Sequence, residues 1–181
     1  QIVSMTFPQI GNYGVNEADR ESRQTWLSGF VVKELSAVAS NWRATGDLAS
    51  FLASGGVVGI QGIDTRALTR HLRIHGAKHG VVSTADLDPA SLARKLAAAP
   101  RIVGVDLVRE VTCDRPYEWT EPVEGRPAAP DPAGSRRRVV VLDCGVKHSI
   151  LRHLVGSGFG VTVVPAATGA GAILALKPDG V

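Results

Sequence analysis

The segment VVVLDCGVKHSILRHLVGSGFGVTVV, Val139 to Val164, restricts the fold of this chain more than any other stretch. Val139–Leu142 is a continuous apolar run, the pattern of a strand covered on both faces. Val146, Ile150, Leu151, Leu154 and Val155 then recur at helical spacing, and Gly156 offers a C-terminal stop. Val161–Val164 is a second apolar run. Together they form one βαβ unit of a parallel sheet, right-handed on general grounds. A second helix over 170–176 begins another crossover. The class expected here is α/β.

Upstream the composition shifts. Pro122 to Pro132, PVEGRPAAPDP, holds four of the ten prolines and is followed by Gly134, Ser135 and three arginines, so 122–138 reads as an extended interdomain linker. Before it lie β-rich runs: an opening strand over 1–7, GFVVKEL at 29–35, VVGIQGI at 57–63 and GVVST at 80–84. Helices are predicted over 48–54, from a cap at Asp64 or Thr65 to His75 with a stop at Gly76, and after Asp88-Pro89. In the last, Leu92 and Leu96 share a face and Pro100 lies beyond the end. Mixed α+β is the natural class for this part.

Composition excludes several roles. The chain has 44% apolar and 20% charged residues, a balance that can bury a core. No apolar run reaches the roughly 18 residues of a spanning helix, so no membrane role is expected. The formal charge of +3 equals the single run Arg136-Arg137-Arg138, and aromatics are only 5%. That is a poor footprint for nucleic acid. Cys113 and Cys144 make neither a disulfide framework nor a zinc site, which fits a reducing cytosol. His71, His75 and His79 lie four apart, but Gly76 interrupts the helix that would align them on a metal.

Four features could carry chemistry. Cys144 sits where a strand turns into a helix, the place of a nucleophile elbow. An elbow needs small residues two before and two after the nucleophile, and here those are Leu142 and Val146. His148 lies one turn on without an orienting acid, and Asp143 is expected on the opposite face of the strand. Cys144 is therefore read as a small buried residue at a strand end. GSGFG at 156–160 imitates a dinucleotide fingerprint but joins a helix to a strand, the wrong end of the dipole for phosphate. Arg66, Arg70 and Arg73 share one helix face, either solvated or docking an acidic partner. PQIGNYGVN at 8–16 makes a tight Gly- and Asn-rich turn, with Gly11, Asn12 and Gly14 as candidate substrate-binding residues.

Five separated motifs now stand in order: TFPQIGNYGVN, SNWR at 40–43, GIDTRALTRHLR at 62–73, GVDLVREV at 104–111, and VVVLDCGVKHSILRHL with the following VTVVPA. Across essentially its whole length the chain resembles the small, glutamine-hydrolysing subunit of carbamoyl phosphate synthetase. The resemblance implies a family-specific N-terminal domain over 1–121, the linker, and over 139–181 the first βαβ of a doubly wound class I glutamine amidotransferase domain. It implies a Cys-His-Glu triad beyond Val181, with Cys144 not the nucleophile, and a glutamine-contacting serine just before Gln1. The chain is thus expected to be a fragment, truncated at both ends and inactive by itself. The resemblance also implies a cytoplasmic complex with a large subunit that holds ATP and magnesium, with no cofactor in this chain. A reading from another class is a non-catalytic module that docks a larger partner. The chain departs from the family at Cys144, usually Phe, at His148-Ser149, usually Arg-Asn, and at Thr168-Gly169-Ala170-Gly171, usually acidic.

Overall fold

In the first of two compact units, made of residues 1–19 and 23–103, short parallel strands set the architecture. The computed structural model describes residues 1–130 and 136–181; the linker residues 131–135 lie outside the described residues. The elements of this unit are β1 (Ile2–Ser4), β2 (Gln9–Ile10), β3 (Gly29–Val31), β4 (Glu34–Leu35), α1 (Leu48–Ser54), β5 (Val58–Ile60), α2 (Thr65–His75) and α3 (Pro89–Ala98). Strands β1, β3 and β5 form one sheet in that order, all parallel, with Ile2 opposite Gly29 and Gly29 opposite Val58. A two-stranded parallel ladder pairs β2 with β4.

The helices begin where the sequence places them. Asp47 accepts from the Ser50 N–H, Asp64 from Ala67, and Asp88 from Ala90 and Ser91. Each carboxylate satisfies N–H groups that a helix start leaves without partners. At α3, Ser91 and Lys95 also reach Asp86, and with the Asp88 N–H they hold its carboxyl down at about 2. Val31, Val32, Leu52 and Val57 are buried with Thr65, so the core lies where α1 and the start of α2 meet the sheet.

Three strand expectations are corrected. Residues 80–84 form no strand; Gly80, Val81 and Thr84 are exposed, and a run without a pairing partner does not stay extended as sheet. GFVVKEL divides at Val32-Lys33, because its two ends pair with different ladders. The opening strand also stops at Ser4 rather than Phe7.

The second unit contains 20–22 and 104–181. It holds α4 (Val108–Val111), β6 (Tyr117–Trp119), β7 (Arg138–Asp143), α5 (His148–Gly156), β8 (Gly160–Pro165) and α6 (Ala170–Ala175). β7 and β8 run parallel through six residue pairs, with α5 as the crossover. The turn after α5 runs from Ser157 to Phe159, with Gly158 at φ 89°. β6 adds to the far side of β8 in the antiparallel sense, giving the order β6-β8-β7. On the other edge of β7, the Val140 N–H donates to the Gly180 carbonyl (3.0 Å). Leu151, Val155, Val161 and Val163 make a core bordered by Tyr117, Trp119 and Phe159. Each such aliphatic side chain contributes about 1.5–3 kcal/mol by leaving water. The units divide at 103/104 rather than at the proline-rich segment, since β6 is a strand of the second sheet.

Gly14 tests the packing of the first unit. Its φ is 67°, and an added Cβ would stand 2.7 Å from the Ala44 Cβ and 2.7 Å from the Gly46 carbonyl. Gly14→Ala should lower unfolding stability by about 2–4 kcal/mol, backbone strain and overpacking together. At Gly62, φ is 87° but nothing lies within 4 Å, so Gly62→Ala should cost only about 1 kcal/mol. Urea midpoints of the two variants measure the difference.

Candidate functional site

Open parallel sheets place ligands beyond the carboxyl ends of their strands. In the second unit that position lies after Asp143 of β7 and Pro165 of β8. Asp143 is 6% exposed, and its carboxylate is fully engaged. Oδ1 accepts from the N–H groups of Gly145 and Val146, both at 2.9 Å, and Oδ2 accepts from the Cys113 N–H at 2.7 Å. Gly145, at φ 97°, lies against Val111: an added Cβ would meet its Cγ2 at 3.1 Å. The Thr112 hydroxyl accepts from the Ala166 N–H at 2.9 Å, just past β8. Residues 111–113 therefore line the sheet's carboxyl edge, through the Val111 side chain, the Thr112 hydroxyl and the Cys113 N–H.

The start of α5 is capped from far away in sequence. The Glu21 carbonyl accepts from the His148 N–H (3.1 Å), and its carboxylate from the Ser149 N–H (2.8 Å). Burial pushes the Glu21 carboxyl up. The Ser149 backbone and hydroxyl, with the charges of Lys147 and Arg152, outweigh that and hold it below the ordinary value. The Lys147 ammonium stands 3.9 Å from Glu21, a loose and exposed pair of small worth. His148 lies against Trp119, ring centres 4.8 Å apart. Burial pushes its imidazole below the ordinary value and the Arg152 charge adds to that, against smaller opposing effects of Glu21, the Arg20 backbone and Glu121.

Cys144 is exposed, which corrects its reading as a buried strand-end residue. Strand alternation explains the difference: Asp143 takes the inward position and the next side chain faces out. His148 is turned to Trp119, and the acid next in sequence, Asp143, is spent on backbone N–H groups. The arrangement is a structural junction and assembles no acyl-transfer machinery around Cys144. Among the described residues no cluster of three or more His, Cys, Asp or Glu could hold a metal ion, and no helix is long and apolar enough to cross a membrane.

Gly11, Asn12 and Gly14 are brought together in the first unit, in a turn closed by the Gly14 N–H on the Gly11 carbonyl (3.0 Å). The Asn12 carbonyl accepts from the Ser40 N–H, and Gly11 and Gly14 have positive φ. Packing against Leu35, Ala39 and Ala44 accounts for the glycines. Arg66, Arg70 and Arg73 stand exposed on α2. Asp143 and Glu21 are the functional capping residues that sequence reasoning missed. Asp-Cys-Gly is the local signal of a side-chain turn after a strand, whereas nothing in the sequence joins Glu21 to Ser149.

The class defined by this fold is an α/β chain in two units, the second built on a parallel βαβ. The family profile "Carbamoyl-phosphate synthase small chain, CPSase domain" matches residues 1–82. Curated relatives named carbamoyl phosphate synthase small chain align over 100% of this chain. One from Syntrophotalea carbinolica is 53% identical, one from Rhodopirellula baltica 47% and one from Synechococcus 46%. The chain covers 49%, 49% and 46% of those proteins, so it spans about half their length. Over its whole length the chain is similar to carbamoyl phosphate synthase small chains.

The pH response follows from these contacts. Both His148 and Glu21 have lowered values in the fold, so each contributes stability above its unfolded value and loses it as pH falls through the folded one. Stability should therefore decline from below about pH 6.5 for His148 and from below about 4.5 for Glu21. Trp119→Leu should raise the His148 midpoint toward its ordinary value, followed by NMR of the imidazole protons. Asp143→Ala should cost about 3–5 kcal/mol in urea unfolding, because three N–H groups lose a charged acceptor.

Proposed function

We propose that this chain is the N-terminal part of the small subunit of a glutamine-dependent carbamoyl phosphate synthetase. In this reading residues 1–121 are the small-subunit domain and 139–181 open a class I amidotransferase domain. The complete subunit hydrolyses glutamine to glutamate and ammonia. The ammonia passes to a cytoplasmic large subunit, which holds ATP and magnesium and forms carbamoyl phosphate for the arginine and pyrimidine pathways. The observation that carries the reading is similarity over the whole chain to proteins of that name, at 44–53% identity.

The chemistry required is acyl transfer: a thiolate attacks the amide, a base moves the proton, and backbone donors hold the oxyanion. The described residues do not supply it. Cys144 is exposed beside a His turned away and an Asp already engaged, so the nucleophile belongs to the part of the relatives this chain does not span. What 139–181 contributes is the rigid opening strand and crossover on which such an elbow is built.

Purified by itself, the 181-residue chain should release no ammonia from glutamine. In the full-length gene product assembled with its large subunit, Cys144→Ala should leave glutamine-dependent carbamoyl phosphate synthesis within a few-fold. Loss of several orders of magnitude, with the circular dichroism spectrum unchanged, would overturn the assignment. Failure of the full-length assembly to use glutamine at all would favour a non-catalytic docking module.

A further inference from the structure

We propose that His71 and His75, one turn apart on α2, form a two-point chelating site for a late first-row divalent cation, of the class of nickel, copper and zinc. α2 runs from Thr65 to His75 as one helix, so residues four apart lie one above the other. The two imidazole rings stand 4.5 Å apart between centres, tilted by 47°. Both residues are exposed. Gly76, at φ 77°, ends the helix directly after the pair. His79 therefore lies off the helix, and the site has two protein ligands.

Geometry and charge both favour an ion here over a plain ring contact. A neutral imidazole offers one nitrogen lone pair, and a metal–nitrogen bond is about 2.0–2.1 Å long. Rings at this separation can each present a nitrogen to a common ion through small side-chain rotations. His75 is the last residue of α2, so the ion meets the negative end of the helix dipole. The arginines of the helix do not oppose it. At about 100° per residue, Arg66, Arg70 and Arg73 lie roughly 120–180° around the axis from the midpoint of the pair. Leu68 and Leu72, both half-buried, hold the flank next to the pair and fix the backbone beneath it.

The ligand chemistry selects the ion. Imidazole suits nickel, copper and zinc, whereas magnesium and calcium take oxygen ligands. The site is therefore different in kind from one for magnesium. Two protein ligands leave the remaining coordination positions to water, which an exposed site supplies. A bound ion staples the last turn of α2, where backbone carbonyls lack partners within the helix. Because the unfolded chain does not hold the two rings together, occupancy adds to the stability of the first unit by linkage.

The test uses the full-length gene product, stripped with EDTA and dialysed, with nickel(II) chloride as the probe in isothermal titration. Wild type should show a binding event that either His71→Ala or His75→Ala weakens at least about tenfold, because chelation makes the second bond intramolecular. Arg70→Gln, on the other side of the helix, should leave that Kd within about twofold. Nickel should also raise the thermal midpoint of wild type by more than that of either histidine variant. Two independent imidazoles would instead lose half the stoichiometry in each single variant at unchanged Kd, and that outcome overturns the chelate. Nickel binding that survives both substitutions unchanged, or absence of wild-type binding, overturns the site.

Discussion

A single buried carboxylate organises the second unit. β7 ends on Asp143, and three backbone N–H groups converge on its two oxygens within 2.9 Å. Two belong to the turn that leads into α5, and the third belongs to the segment after α4. A charged acceptor inside a protein is tolerable only when its lone pairs are used, and here they are. The same contacts fix where the crossover begins, so the register of Leu151 and Val155 against Val161 and Val163 depends on them.

Glu21 completes the arrangement from the other side of the helix start. α5 has no side-chain cap of its own; at the cap position the Lys147 carbonyl accepts from the Ile150 N–H, while its side chain makes no capping hydrogen bond. The orphan N–H groups of His148 and Ser149 are met by the carbonyl and carboxylate of Glu21. His148 against Trp119 then closes the apolar side. A thiol at this junction has neither a free base nor a free acid nearby, which is why a cysteine at a strand-to-helix turn is not sufficient for catalysis.

Much of the local structure was legible because its physics is local. Asp64 and Asp88 announce the starts of α2 and α3, since a carboxylate at the cap position binds N–H groups two or three residues on. The βαβ could be read from apolar runs with a helical repeat between them. The strand ends in the first unit were not legible. GFVVKEL divides between two ladders, and GVVST finds no partner, because pairing depends on which segments arrive beside them. Of the candidate residues, Arg66, Arg70 and Arg73 lie exposed on α2, and the glycines of the loop around Gly11, Asn12 and Gly14 are packed against Leu35, Ala39 and Ala44.

The sequence by itself determined the periodicities, the caps and the parallel crossover, all carried by residues within a few positions of each other. Only the tertiary structure decided that Cys144 faces solvent, that Asp143 faces inward onto Cys113, and that Glu21 caps a helix 128 positions away. It also joined 117–119 to the second sheet rather than to the unit preceding it in sequence. The physical reason is the same in each case. Hydrogen-bond acceptors and strand edges are satisfied by whatever donor is near in space, and sequence separation does not enter that energy.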